Sequence, residues 1–151
     1  MRGSFLLEDF MYYLRTEQSF DAAHFLKGYA GKCSNLHGHR WRVVAVVKTA
    51  ELATDAQTRG MVMDFSALKD ALKAICAELD HHFIYETGSL QPATLAALDA
   101  EGFHLVAVPF RPTAENLSRY IYERLAAEGC PMARVEVYET PNNCAIYEVE
   151  A

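Results

Sequence analysis

No apolar run in the sequence approaches the roughly 20 residues of a membrane-spanning helix, so a transmembrane protein is not expected. The N-terminus lacks the charged, apolar and small-residue order of a secretory signal. The four cysteines, at 33, 76, 130 and 144, show neither CxxC spacing nor the density of a small disulfide scaffold. They read as reduced thiols in a cytoplasmic protein. Positive charge is scarce, with 14 Lys and Arg against 20 Asp and Glu and a formal net charge of -6. That balance argues against nucleic acid as a partner. It leaves room for a small phosphorylated substrate held by a few local cations. There is no HExxH motif, internal repeat, linker or low-complexity tract. What is present is 151 residues, 51% apolar, enough for one domain with its own core. Residues 11–151 are expected to form that domain, with residues 1–10 as an N-terminal extension.

Along the chain, strand signals come first, then helices, then strands again. Residues 12–20 are aromatic and β-branched, and residues 40–48 (RWRVVAVVK) form a stronger strand. Alternation there puts Val44, Val46 and Lys48 on one face and Val43, Ala45 and Val47 on the other. Residues 61–63 are expected as a short strand before Asp64, a helix cap. Phe65, Leu68, Leu72, Ile75, Cys76 and Leu79 then recur at helical spacing and predict a helix over about 66–79. Residues 86–103 read as a polar segment with a short helix near 93–98, and 104–110 as a buried or edge strand. Thr113 caps a second helix over 114–128, which Gly129 and Pro131 stop. Strands over 134–140 and 145–150 follow, joined by Pro141-Asn142-Asn143.

The stretch from Phe20 to Arg42 holds three of the six histidines, His24, His37 and His39, together with Cys33. On an extended chain His37 and His39 point to one face while Gly38 faces the other way. With His24 from the preceding segment they could make a three-nitrogen zinc site. Catalytic zinc typically keeps about three protein ligands and leaves a position open. Cys33, four residues before His37, is close enough to act there as a base without being a ligand. The pattern suggests a zinc lyase.

Six motifs in order carry a resemblance: Phe20 to His24 (FxAAH), Cys33 to His39 (CxxxHGH), Gly60 to Phe65 (GxVxDF), Leu79 to His81 (LDH), Pro112 to Asn116 (PTAEN) and Glu139 to Asn143 (ETxNN). The chain resembles the pyruvoyltetrahydropterin synthase superfamily over about residues 12–150, and within it the bacterial carboxytetrahydropterin synthases of queuosine biosynthesis. The resemblance implies an α+β T-fold (tunnelling fold), ββααββ, with a four-stranded antiparallel sheet and two helices on one face. It implies a homo-oligomer, trimer or hexamer. It implies zinc on His24, His37 and His39, with Cys33 as general base and Asp80 and His81 completing a proton relay across a subunit interface. It also implies Glu139 as the pterin anchor, whose carboxylate accepts a paired hydrogen bond from the ring. Thr113 and Glu115 would help shape the pterin pocket. The implied small-molecule substrate is dihydroneopterin triphosphate, cleaved to carboxytetrahydropterin, acetaldehyde and triphosphate, or, in the pyruvoyl branch, relieved of triphosphate alone. The sequence does not fix the residues that meet the triphosphate; Lys27, Arg40 and Arg42 are candidates by position. The segment 86–111 is longer than in compact members, which bears on the pocket rim or the interface.

Simpler readings stand beside these. An isolated HxH is more often a pair of ordinary strand residues, and most free cysteines are small buried hydrophobes. Asp80-His81 can merely finish a helix, and Glu139 can be a solvated strand carboxylate. A structural zinc or pterin-binding module would use Cys33 as a fourth ligand. A zinc hydrolase would need a carboxylate base beside the metal.

Overall fold

Two thirteen-residue strands, β1 (Tyr12–His24) and β2 (His37–Thr49), form an antiparallel hairpin whose register runs from Tyr12 opposite Thr49 to His24 opposite His37. The computed structural model describes residues 10–150. The extension expected over 1–10 therefore lies, but for Phe10, outside the described residues. β1 runs four residues past the expected end at Phe20, because Ala22 and His24 keep the same inward face as Phe20. β2 likewise begins at His37. Gly38 lies against the Ala22 carbonyl of the facing strand, where a Cβ would make an ordinary contact at 3.4 Å.

Helix α1 (Phe65–Leu79) starts where Asp64 accepts from the Ser66 N–H at 2.7 Å. It buries Leu68, Leu72, Ile75, Cys76 and Leu79 against the sheet, while Phe65, at its first turn, is exposed rather than part of the stripe. Each fully buried Leu or Ile is worth about 1.5–3 kcal/mol. Residues 61–63 are a turn rather than a strand. They close through Ala53 N–H to Met61 O (3.0 Å), and Val62 and Met63 pack against the core as loop residues.

After α1 come β3 (His82–Glu86), α2 (Pro92–Ala100) and β4 (Leu105–Val108), then α3 (Ala114–Ala127), β5 (Met132–Thr140) and β6 (Asn143–Glu148). The four antiparallel strands expected are β1, β2, β5 and β6. β3 and β4 widen the sheet to six, in the order β4-β3-β1-β2-β5-β6, and they pair in parallel. Parallel neighbours need a crossover, and residues 87–104, with α2, supply it. α2 buries no residue. β3 meets β1 only at Ala22 and Ala23, so among the described residues the outer edge of Tyr12–Asp21 has no strand beside it.

α1 and α3 lie on one face of the sheet, over Phe20, Trp41, Val43, Ala45, Val47, Val135 and Val137. The opposite face is a polar lattice around buried Val44 and Val46. Its ion pairs include Arg42 to Glu17 (2.8 Å) and Arg134 to Glu136 (2.8 Å), and the Arg42 guanidinium lies 3.8 Å from the Tyr138 ring centre. Among the described residues no helix is long and apolar enough to cross a membrane.

Candidate metal centre and active site

His24, His37 and His39 converge because the hairpin register puts them on its helix-facing side at its turn end. His24 is opposite His37, and Ala22 is opposite His39. The three rings are fixed from outside. His24 is fully buried, and its Nδ1 donates to the Pro112 carbonyl at 2.7 Å, just before α3. His37 Nδ1 donates to the Asn35 carbonyl at 2.7 Å. Trp41 stands edge-on to both His24 and His39, with ring centres 4.9 and 5.3 Å away, and its indole N–H is held by the Ala22 carbonyl at 3.2 Å.

With each Nδ1 donating to a carbonyl, the Nε2 atoms of neutral His24 and His37 carry lone pairs, yet they sit 3.1 Å apart. Two lone pairs cannot hydrogen-bond to each other, so the contact calls for an electrophile between them, and since burial opposes protonation of His24 a metal ion suits it better than a shared proton. His39 Nε2 is buried and has no hydrogen-bond partner, although Glu139 Oε1 lies 3.1 Å away, off the direction a hydrogen bond needs. Glu139 Oε1 is also 3.2 Å from His24 Nε2. Ligand atoms of His24, His37, His39 and Glu139 all lie within 4.8 Å of one another, so this group could hold a metal ion. Burial lowers the pKa of His24 and of His39, which keeps both neutral and ready to ligate.

The structure thus brings the three predicted histidines together and sets Glu139 nearer to them than a ring anchor alone implies. Alternation held the signal. Glu139 continues the face of Val135 and Val137, and that face is buried. Cys33 stands outside the four-residue group, in a short 3-10 turn (Lys32–Ser34), and is partly buried. That removes the fourth-ligand thiol a structural zinc site would use.

Asp80 and His81 form a pair of their own. Asp80 Oδ2 lies 2.9 Å from His81 Nδ1, and its Oδ1 accepts from the Asp21 N–H at 2.9 Å. The Asp21 N–H first, and the His81 side chain second, hold the Asp80 carboxyl below the usual range. His81 has φ 57, and its own N–H donates to the Asp21 carbonyl at 2.6 Å. Among the described residues no hydrogen bond or ion pair joins this pair to Cys33.

Two cavities meet at Gly38, His39 and Arg40. One, of about 530 Å³, is bounded by Asp21, His81, His82 and His104. The other, of about 480 Å³, is bounded by Arg42, Tyr138 and Glu139. Both fall in the range of small-molecule sites. Arg40 and Arg42 line them, whereas Lys27 lines neither. Thr113 caps α3 by accepting from the Asn116 N–H at 3.2 Å, and Glu115 is exposed in the first turn, so neither reaches these cavities.

The family model for 6-pyruvoyl tetrahydropterin synthase matches residues 13–150. The chain belongs to that family. Among curated relatives, a 6-carboxy-5,6,7,8-tetrahydropterin synthase from Haemophilus influenzae is 35% identical over 141 residues, covering 91% of this chain and 99% of the relative. One of the same name from Synechocystis is 34% identical, covering 91% and 93%. Among solved structures, an uncharacterized protein from Wolinella succinogenes matches with a TM-score of 0.79 at 24% identity, covering 93% of this chain and 99% of that one. A 6-pyruvoyl tetrahydropterin synthase from Plasmodium vivax matches with a TM-score of 0.69 at 22% identity, covering 95% and 100%. At such identities the structural matches speak for the fold alone. They agree with the T-fold expected from the family's motifs.

Proposed function

We propose that this member of the family is a zinc-dependent 6-carboxy-5,6,7,8-tetrahydropterin synthase. It would be a lyase of the cytoplasm that turns 7,8-dihydroneopterin triphosphate into carboxytetrahydropterin, acetaldehyde and triphosphate for queuosine biosynthesis. The observation that carries the reading is the facing of the His24 and His37 Nε2 lone pairs, with His39 Nε2 and the Glu139 carboxylate gathered beside them. The name shared by the relatives at 35% and 34% identity supports the reaction. Zinc bound there supplies a Lewis acid for charge developing on the substrate side chain.

The chain's own residues would do the rest. Glu139, one wall of the 480 Å³ cavity, accepts paired hydrogen bonds from the pterin ring. Arg40 and Arg42 line the approach for the triphosphate. Cys33 takes the proton from the side chain, and His81, oriented by Asp80, receives or returns it. Since among the described residues no hydrogen bond or ion pair joins Cys33 to the Asp80–His81 pair, the relay would close between copies in a trimer or hexamer. Among the described residues the outer edges of β6 and of Tyr12–Asp21 in β1 have no strand beside them, which suits head-to-tail pairing of that kind.

A second reading is favoured by the family model's own description. It is a 6-pyruvoyltetrahydropterin synthase that eliminates triphosphate from the same substrate. Mass spectrometry of the products formed by the zinc-loaded protein from dihydroneopterin triphosphate separates the two. Carboxytetrahydropterin with acetaldehyde supports the first, pyruvoyltetrahydropterin the second, and unchanged substrate removes both.

A further inference from the structure

We propose that Arg111 is a positioning residue. It ties the loop that carries the Cys33 thiol to the segment that fixes the metal-site histidine His24. The inference rests on the roles proposed above for those two residues.

Arg111 closes the segment between β4 and α3, and its backbone is held firmly. The Arg111 carbonyl accepts from the Thr113 N–H at 2.8 Å and from the Asn116 side-chain amide at 2.9 Å, both at the start of α3. The next carbonyl, that of Pro112, is the one that accepts from His24 Nδ1. From this base the Arg111 guanidinium reaches across 84 residues of sequence and donates from Nη2 to the Lys27 carbonyl at 2.6 Å. Among the described residues this is the one hydrogen bond that joins the loop over residues 25–36 to a part of the chain outside the β1–β2 hairpin. A guanidinium on a carbonyl is a charge-assisted bond, shorter and stronger than a neutral one.

The loop relays the contact to the thiol. Leu26, beside Lys27, donates its N–H to the Cys33 carbonyl at 2.9 Å, and the Leu26 carbonyl accepts from Tyr29 at 3.3 Å. Gly28 sits at φ +82, and a Cβ there would stand 3.5 Å from Arg111 Nη2, so the guanidinium lies directly against the turn. Two consecutive residues, Arg111 and Pro112, thus set the distance between an imidazole ligand and the thiol. A catalytic group displaced by an ångström can lose about a hundredfold in rate.

The test compares wild type, Arg111→Ala and Arg111→Lys as full-length zinc-loaded proteins. Four quantities are read: zinc content, amide exchange at Leu26, iodoacetamide alkylation of Cys33 resolved by peptide mass spectrometry from that of exposed Cys144, and kcat and KM. In Arg111→Ala, Cys33 alkylation and Leu26 exchange should each rise at least severalfold. kcat should fall about ten- to hundredfold, with zinc content unchanged and KM little changed. Arg111→Lys, which keeps a cation that can reach the carbonyl, should recover part of each loss. Unchanged alkylation and exchange in Arg111→Ala would overturn the proposal, as would zinc loss in proportion to activity. The alkylation and exchange readings need no turnover. If they respond while wild type leaves dihydroneopterin triphosphate intact, the positioning role stands and the proposed reaction falls.

Discussion

His24 and His37 turn their Nε2 atoms toward each other at 3.1 Å while the Nδ1 of each is engaged by a backbone carbonyl, from Pro112 and Asn35. The arrangement is costly without a cation between the rings and favourable with one. Metal should therefore stabilise the fold. Zinc at about a hundred times its Kd should add about 2.7 kcal/mol, seen as a rise in Tm that a chelator reverses. A Tm indifferent to zinc and chelator would argue against a metal at this group.

The single variants His37→Ala and Cys33→Ala should separate ligand from base. His37→Ala loses one imidazole of the group and should lose both zinc and turnover. Cys33→Ala should keep zinc, because the thiol lies outside the group, and should lose turnover. Zinc analysis beside product assay reads both. A Cys33→Ala protein without zinc would remove Cys33 from the role of base.

Acid should weaken the apoprotein through His24 and His39. Burial lowers their folded pKa values, whereas in the unfolded chain they titrate near their ordinary value of about 6.5. As pH falls through about 6.5 the unfolded state takes up protons that the folded state still refuses, so stability declines until pH passes the lowered folded values. Each proton contributes a slope of about 1.4 kcal/mol per pH unit. Urea unfolding across pH 5–7 should show the decline, and His39→Gln should flatten it. An apoprotein equally stable across that range would contradict the assignment.

Trp41 is the sole tryptophan, and it lies edge-on to two of the three histidines. Its fluorescence should change on zinc binding and saturate with metal bound to this site. Trp41→Phe would leave the Ala22 carbonyl without its indole donor, at a cost of about 1–3 kcal/mol. A metal titration that leaves the emission of wild type unaltered would put the ion elsewhere.

Arg124 joins α3 to α1 by two bonds to the Glu78 carboxylate, at 2.7 and 3.0 Å. Both groups are partly exposed, so Arg124→Ala should cost no more than about 1 kcal/mol by denaturant unfolding and leave zinc binding intact. A larger loss would show that the two helices depend on this bridge more than on Leu72, Leu117 and Ile121.

Local chemistry made much of this legible in the sequence. Asp64 and Thr113 announced the starts of α1 and α3, and period-two alternation placed His37 and His39 on one face. The end of β1 was hidden because Asp21 looked like a stop, yet its outward side chain pairs with Arg40 at 3.1 Å while Ala22 and His24 carry the strand on. β3 was hidden by its brevity and by the two histidines before Phe83. The place of Glu139 beside the imidazoles depends on the register between β2 and β5, a long-range pairing that no window of neighbouring residues contains. Phe65 fitted the helical period, but helix geometry alone does not say that the first turn overhangs the sheet.

The left-handed backbone at His81 sets the proposed relay role of its side chain against stability. A side chain at φ 57 costs about 1–2 kcal/mol that glycine would not incur. A chain selected for stability alone would place glycine there. His81→Gly should accordingly raise Tm while removing the imidazole from the Asp80 carboxylate. The strain retained at that turn measures how much stability the molecule forgoes to keep an imidazole against the Asp80 carboxylate.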